Sequence, residues 1–208
     1  MISSRAGEIR YLHITDEVKV LPQPVNSVPF TFAKTPIEGV YVVTPKAFED
    51  NRGFFMETYA KPAFEAAGIK GDLVQQNHSR SVRGVLRGLH FQKDPFSQAK
   101  LVRCTRGEIF DVAVDIRRSS PAFGKWTSLV LSESNKNMLY MPRGFAHGFV
   151  TLSEIAEVQY SVDNAYAPTH EAGVIWSDPR LAIKWPMTNP ILSDKDQRWP
   201  TLDQLNLG

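Results

Sequence analysis

The chain has 208 residues with 24 Lys and Arg against 22 Asp and Glu, a formal net charge of +2, and it is 42% hydrophobic and 22% charged, the balance of an ordinary globular protein. Its charge lacks the basic excess of a nucleic-acid surface, and no run reaches the ~18 apolar residues of a membrane span, so neither partner is expected. The lone Cys104 cannot form an internal disulfide, and residues 1–8 lack the apolar core of a signal peptide, which together point to a reducing, cytoplasmic setting.

Residues 1–35 carry Pro22, Pro24 and Pro29 in a mixed stretch with room for one short strand near Val18–Leu21. They are read as an N-terminal extension, ahead of a single main domain over 36–208. From Ile37 the pattern sharpens: Gly39-Val40-Tyr41-Val42-Val43 predicts a buried strand that Pro45 ends. Glu49-Asp50-Asn51-Arg52-Gly53 carries turn chemistry, and Phe54–Tyr59 resumes as strand. Lys61–Ala67, closed by Gly68, predicts a short helix with its glycine stop. Beyond it nearly everything reads as strand. Val102–Thr105 meets a turn at Arg106-Gly107-Glu108, and Phe110, Val112, Val114 and Ile116 then alternate with Asp111, Ala113, Asp115 and Arg117 in a period of two. Strands follow at 127–131, 139–141, 149–152 and 157–162, separated by turns or loops at 119–124 and 132–137. Many short strands with almost no helix predict an all-β sandwich or barrel. The tail from Trp176, broken by Pro179, Pro186, Pro190 and Pro200, is expected to wrap over it as loops and short helices.

The chemistry concentrates in Gly84-Val85-Leu86-Arg87-Gly88-Leu89-His90-Phe91-Gln92. In a regular strand side chains alternate, so Arg87 and His90 point to opposite faces. Gly88 between them is where a bulge could bring both to one site. Taken alone, His90 reads equally as a histidine satisfied within a sheet. Five histidines are available, His13, His78, His90, His147 and His170, and two sit in matching glycine-and-apolar settings. Gly84-x5-His90 and Pro142-x-Gly144-x2-His147 together resemble the two motifs of the cupin superfamily, a double-stranded jelly roll. Metal-binding cupins have His-x-His in the first motif; here it reads His90-Phe91-Gln92, and Thr151 stands where the second motif has asparagine. Two imidazoles alone are a poor donor set for a divalent ion, so no metal is expected. A free imidazole titrates near pH ~6.5 and suits a general base at neutral pH, given a carboxylate to orient its second nitrogen. Spacing does not reveal that carboxylate. A small anionic ligand remains open, since two or three arginines suffice for a phosphate.

The span from about Ile37 to Pro200 resembles one cupin branch, the dTDP-4-dehydrorhamnose 3,5-epimerase family. The matching residues fall in the family's order: Phe48-x-Asp50-x-Arg52-Gly53-x-Phe55-x-Glu57, Gln75-Gln76-Asn77-x-Ser79, Gly84 to His90, Lys100-Leu101-Val102, Gly107-Glu108-Ile109-x-Asp111 to Asp115, Pro142-x-Gly144-x-Ala146-His147-Gly148-Phe149, Tyr160, Tyr166 and Leu192-Ser193-x-Lys195-Asp196. The stretch before Ile37 lies outside the resemblance and looks longer than the family's usual start.

The resemblance implies an all-β, cupin-type jelly roll with a few short peripheral helices and an epimerase free of metal or organic cofactor. His90 would remove a proton beside a C4 ketone, Asp196 would hold its imidazole, Lys100 would stabilise the enolate, and Tyr160 would return a proton from the other side. Arg52, Phe55, Glu57, Gln75, Gln76, Asn77, Arg87, His147, Glu171 and Lys195 would hold nucleotide, diphosphate and sugar, with Tyr166 stacking on the base. The implied substrate is dTDP-4-dehydro-6-deoxyglucose, inverted at C3 and C5, in a homodimer whose sites are shared across the interface. One alternative is an epimerase acting at C3 or C5 alone on a related nucleotide sugar of secondary metabolism. Another is a non-catalytic cupin that binds nucleotide sugars, against which the intact set His90, Lys100, Tyr160 and Asp196 argues, because binding alone needs no acid and base.

Overall fold

The structure, a computed structural model, describes residues 29–206; the strand expected near 18–21 lies outside them. In chain order the strands are β1 (Phe30–Lys34), β2 (Tyr41–Pro45), β3 (Ala47–Asp50), β4 (Gly53–Met56), β5 (Gln75–Val82), β6 (Leu86–Gln92), β7 (Lys100–Arg106), β8 (Glu108–Asp115), β9 (Trp126–Ser132), β10 (Met138–Met141), β11 (Phe145–Thr151), β12 (Ile155–Val162) and β13 (Glu171–Gly173). A six-stranded sheet ordered β1-β2-β10-β7-β12-β5 packs on a five-stranded sheet ordered β13-β6-β11-β8-β9, and β3 and β4 form a separate hairpin. All the ladders are antiparallel. This is the jelly roll that the sequence implies. Its first strand, β1, falls inside the stretch read as an arm, and its last ordered turns are 3-10 segments at Pro168–His170 and Leu202–Gln204.

Three apolar layers explain why the alternation is real and yet incomplete. Val102, Cys104, Leu139 and Val158 of one sheet meet Ile109, Ala113, Leu131 and Phe149 of the other. The outer side of the five-stranded sheet is covered by the tail, where Leu181, Leu202 and Leu205 pack on Val112, Val114 and Phe91. On the outer side of the six-stranded sheet sits α1 (Lys61–Ala66), whose Phe64 lies among Phe30, Phe32 and Tyr59 at ring-centroid distances of 5.3, 5.1 and 4.9 Å. Proline at the helix start and Gly68 just past its end delimit it, in agreement with the pattern at 61–67. Truncating Phe64 to alanine removes the plug of this layer, a change that costs about 3–5 kcal/mol in buried aromatic sites. Because both faces of β8 are covered, its polar alternate positions Asp111 and Asp115 are buried as well, the first paired with His147 and the second with Arg117 and Ser120. Among the described residues no helix is long and apolar enough to cross a membrane.

Candidate active site

His90 reaches its place through a bulge in β6. It lies opposite His147 of β11, whereas Arg87 lies opposite Phe149, so three steps along β6 match two along β11. The extra residue falls at Gly88-Leu89. Gly88 has φ +144°, and a Cβ there would sit 2.5 Å from the Cα of Gly148, so only glycine fits both the backbone and the close strand approach. The bulge breaks the alternation: Arg87 and His90 line one cavity of about 500 Å³ together with Ser193, Lys195 and Asp196. Arg87 is braced there by Nε donating to Ser81 Oγ at 3.0 Å and NH2 donating to the Arg80 carbonyl at 3.2 Å.

The carboxylate that spacing could not reveal is Asp196. Its tail segment is stitched to the start of β6 by Leu86 N to Ile191 O at 3.0 Å and Ile191 N to Gly84 O at 2.8 Å. This seam carries a residue 106 positions away to the imidazole, and His90 Nε2 hydrogen-bonds Asp196 Oδ1. Ser193 Oγ donates to Asp196 Oδ2 at 2.9 Å, and Trp199 Nε1 donates to Oδ1 at 3.3 Å. Burial by itself would raise the Asp196 carboxyl, but the hydrogen bond and charge of His90, with Ser193 and Trp199, hold it below the usual carboxylate range. An ionised carboxylate only accepts, so Nε2 carries a proton towards Asp196, and in the neutral imidazole Nδ1 is the nitrogen that bears the lone pair.

His90 also borders a second cavity of about 270 Å³, whose far wall comes from the opposite sheet. Lys100 of β7 and Tyr160 of β12 enter it from there, and Gln75, Asn77, Phe91, Gln92, Gln98, Tyr166 and Glu171 complete the lining. Lys100 is 7% exposed, and its Nζ donates to the His90 carbonyl at 3.4 Å. Burial pulls its ammonium from 10.5 down to about 8, against the attraction of Asp111 and Glu171. Burial likewise raises the Tyr160 hydroxyl, with Arg87 opposing and Glu171 and Tyr166 adding to the rise. At neutral pH the cavity therefore offers a carboxylate-bound imidazole on one wall, and a cation and a phenol on the other.

A chain of polar contacts frames the mouth. Gln75 Nε2 donates to Asn77 Oδ1 at 3.0 Å and its Oε1 accepts from Tyr166 N at 2.9 Å. Tyr166 OH donates to Glu171 at 3.0 Å, and Lys195 Nζ pairs with the same carboxylate at 2.6 Å. Burial would raise Glu171, but Lys195 and Tyr166 hold it low.

Other expected site residues lie elsewhere. Gln76 faces away from the cavity, because β5 alternates; its Nε2 donates to Ser161 Oγ on the outer surface. His147 is buried behind the wall, with Nε2 2.7 Å from Asp111 Oδ1, and lines neither cavity. Arg52, Phe55 and Glu57 line neither cavity of their own chain: the hairpin that bears Arg52 and Phe55 stands exposed, Phe55 by 70%, and Glu57 follows it, also exposed. Arg52 pairs with Asp50 across the turn. Gln92 occupies the position of the second motif histidine and staples two loops, donating to the Phe96 and Ala165 carbonyls and accepting from Ala167 N. Among the described residues no group of three or more His, Cys, Asp and Glu side chains is placed to hold a metal ion. The sequence reading passed over three participants. Asp111, whose Oδ2 is buried without a hydrogen-bond partner, looked like the polar half of an alternating strand. Ser193 stands within the Leu192-Ser193-x-Lys195-Asp196 match without a role, and Trp199 announces itself only by standing three residues past Asp196.

The sequence model of the dTDP-4-dehydrorhamnose 3,5-epimerase family matches residues 34–204. A dTDP-4-dehydrorhamnose 3,5-epimerase of Shigella flexneri is 56% identical over 164 residues, covering 78% of this chain and 91% of that protein. One of Escherichia coli K12 is 53% identical over 174 residues, covering 83% and 94%. The crystal structure of a dTDP-6-deoxy-D-glucose-3,5-epimerase of Legionella pneumophila, in complex with dTDP-4-keto-L-rhamnose, superposes with a TM-score of 0.82 at 42% identity, covering 85% of this chain and 95% of that one.

Proposed function

Because the chain belongs to the dTDP-4-dehydrorhamnose 3,5-epimerase family, and is thereby an isomerase, we propose that it inverts C3 and C5 of dTDP-4-dehydro-6-deoxyglucose by proton transfer between His90 and Tyr160, without a metal or organic cofactor. The observation that carries this reading is that His90 and the pair Lys100 and Tyr160 line one cavity from two facing sheets. A proton α to the C4 ketone goes to His90 Nδ1, the electron pair of the C–H bond forms the double bond to C4, and the carbonyl π pair moves onto the C4 oxygen. The buried Lys100 ammonium stabilises that oxyanion without reorganising. As the enolate collapses, the Tyr160 hydroxyl delivers a proton to the other face of the same carbon, which inverts it. Solvent then takes the proton from His90 and restores the one on Tyr160. Asp196 holds the imidazole for the first step. Gln75, Asn77, Arg87, Glu171, Lys195 and Tyr166 bind the nucleotide sugar around the mouth, with His147 supporting from behind. Arg52 and Glu57, which lie outside the cavity of their own chain, serve the site of a second copy in a homodimer.

Incubation of the chain and its variants with dTDP-4-dehydro-6-deoxyglucose in D2O tests the reading. Wild type should return sugar inverted and deuterated at C3 and C5. His90→Asn should lose both inversion and deuterium uptake by at least ~10²–10⁴-fold, the usual contribution of a positioned general base. Tyr160→Phe should still exchange deuterium into recovered substrate while forming little inverted sugar. Normal inversion by either variant would overturn the two-sided mechanism, and inversion at one carbon by wild type would reassign the chain to the single-centre class.

A further inference from the structure

We propose that Trp199 is a positioning residue of this site, locking the Asp196–His90 pair from behind in a recess that exists because residue 173 is glycine. The inference rests on the acid–base reading given above. Trp199 Nε1 donates to Asp196 Oδ1 at 3.3 Å, the same oxygen that bonds His90 Nε2. Its ring stands edge-on to the imidazole, with centroids 6.1 Å apart and planes at 68°. Gly173 is the register partner of His90 across β13 and β6, and a Cβ there would lie 2.5 Å from the indole. The ring thus fills a slot that any other residue at 173 would close. Two other indoles, those of Trp126 and Trp185, donate to backbone carbonyls at 2.8 and 2.9 Å, so the carboxylate partner sets Trp199 apart from them.

The physical consequence follows from the torsions of Asp196. His90 and Ser193 already hold one oxygen of Asp196 each; Trp199 adds a second donor on Oδ1 and sets its ring edge against the imidazole, which narrows the rotation left to the carboxylate and to the ring it orients. A general base needs its lone pair within hydrogen-bond reach of the proton it takes, so loss of this lock slows proton removal. Trp199 lines neither cavity, so substrate binding should be spared.

The test is Trp199→Phe, which keeps a ring and deletes the N–H, measured with dTDP-4-dehydro-6-deoxyglucose alone and in the Asp196→Asn background. Expected are a roughly tenfold fall in kcat and in deuterium uptake from D2O, with KM within about twofold, since a hydrogen bond to a charged group is typically worth about a decade in rate. In the Asp196→Asn background the same substitution should cost less than about twofold. Wild-type kcat in the single variant, or a full tenfold loss in both backgrounds, overturns the proposal. Should Trp199→Phe fail to fold, the indole N–H resonances of the other chains decide: in Asp196→Asn a single one of the four tryptophans should shift strongly, and an unchanged set overturns the contact. A wild-type chain that does not turn over this substrate would instead overturn the acid–base reading, while the indole resonances would still report on the contact.

Discussion

Replacing Lys100 by methionine should make the protein more stable while it abolishes epimerisation. Lys100 is buried against the wall of the cavity, and burial lowers its ammonium from 10.5 to about 8. The attraction of Asp111 and Glu171 is already contained in that value. At about 1.4 kcal/mol per decade, keeping the charge at neutral pH costs the folded state about 3 kcal/mol. The sign follows from proton binding: the folded-state value lies below the unfolded one, so between pH ~8 and ~10.5 the unfolded chain binds more protons and wild-type stability rises with pH. Methionine has nearly the volume of the lysine stem and no charge to desolvate. Urea unfolding of both proteins at one protomer concentration, from pH 6.5 to 10.5, checks this. Lys100→Met should unfold at higher urea with unchanged m below pH ~8, by the equivalent of about 3 kcal/mol, and the advantage should fade towards pH 10.5. A variant no more stable than wild type at pH 7, or a gap that ignores pH, would refute the claim that this site holds an ammonium against desolvation.

The same ammonium should set the alkaline limb of activity: kcat/KM should fall as pH rises through about 8, where Lys100 loses its proton, and a profile flat to pH 9.5 would exclude Lys100 as the oxyanion partner. Turnover should survive exhaustive chelation, because Gln92, where a ligand histidine would stand, is spent on loop contacts; tightly bound stoichiometric metal whose removal ends activity would contradict this. Refolding inactive Arg52→Ala chains with inactive His90→Ala chains should restore part of the activity if the exposed hairpin serves the partner's site, and verified mixed dimers that stay inactive would count against shared sites.

What the sequence discloses about this fold depends on what each strand faces. β8 declares itself because Phe110, Val112 and Val114 pack outward under the tail, while the interior takes Asp111 and Ala113. β5 does not: its inward positions Gln75 and Asn77 line the cavity, so no apolar alternation marks it. β1 was hidden by its neighbourhood of prolines, although Phe30 and Phe32 anchor the layer under α1. At the site, Gly88 between Arg87 and His90 was readable as a bulge, since only a register slip reconciles two polar side chains three apart with one pocket. Asp196 was legible only by resemblance. Its contact with His90 is made by backbone bonds between Gly84-Val85-Leu86 and Ile191, which leave no trace in side-chain pattern.

The two walls of the cavity are built differently, and the proposed roles account for the difference. A base at neutral pH must be oriented through its second nitrogen, so His90 has to present one face to the substrate and the other to a carboxylate. In a regular strand one face of β6 points into the sandwich and the other into the covering tail, and no side chain can serve both. The bulge at Gly88 breaks the alternation of β6, and His90 then meets Asp196 of the tail through Nε2 while its ring still borders the cavity. An acid makes the opposite demand. Tyr160 needs only to keep its proton, and burial alone does that by raising the hydroxyl above its ordinary value. It therefore sits in a regular stretch of β12, paired with Asn77 of β5 and Val102 of β7, past the register shift at Glu157 and Val158. Lys100 needs to keep a charge that burial works against, and the attraction of the Asp111 and Glu171 carboxylates offsets part of that cost. At this site the irregular pairing falls beside the side chain that must touch two environments, and a regular pairing suffices for the one that touches one.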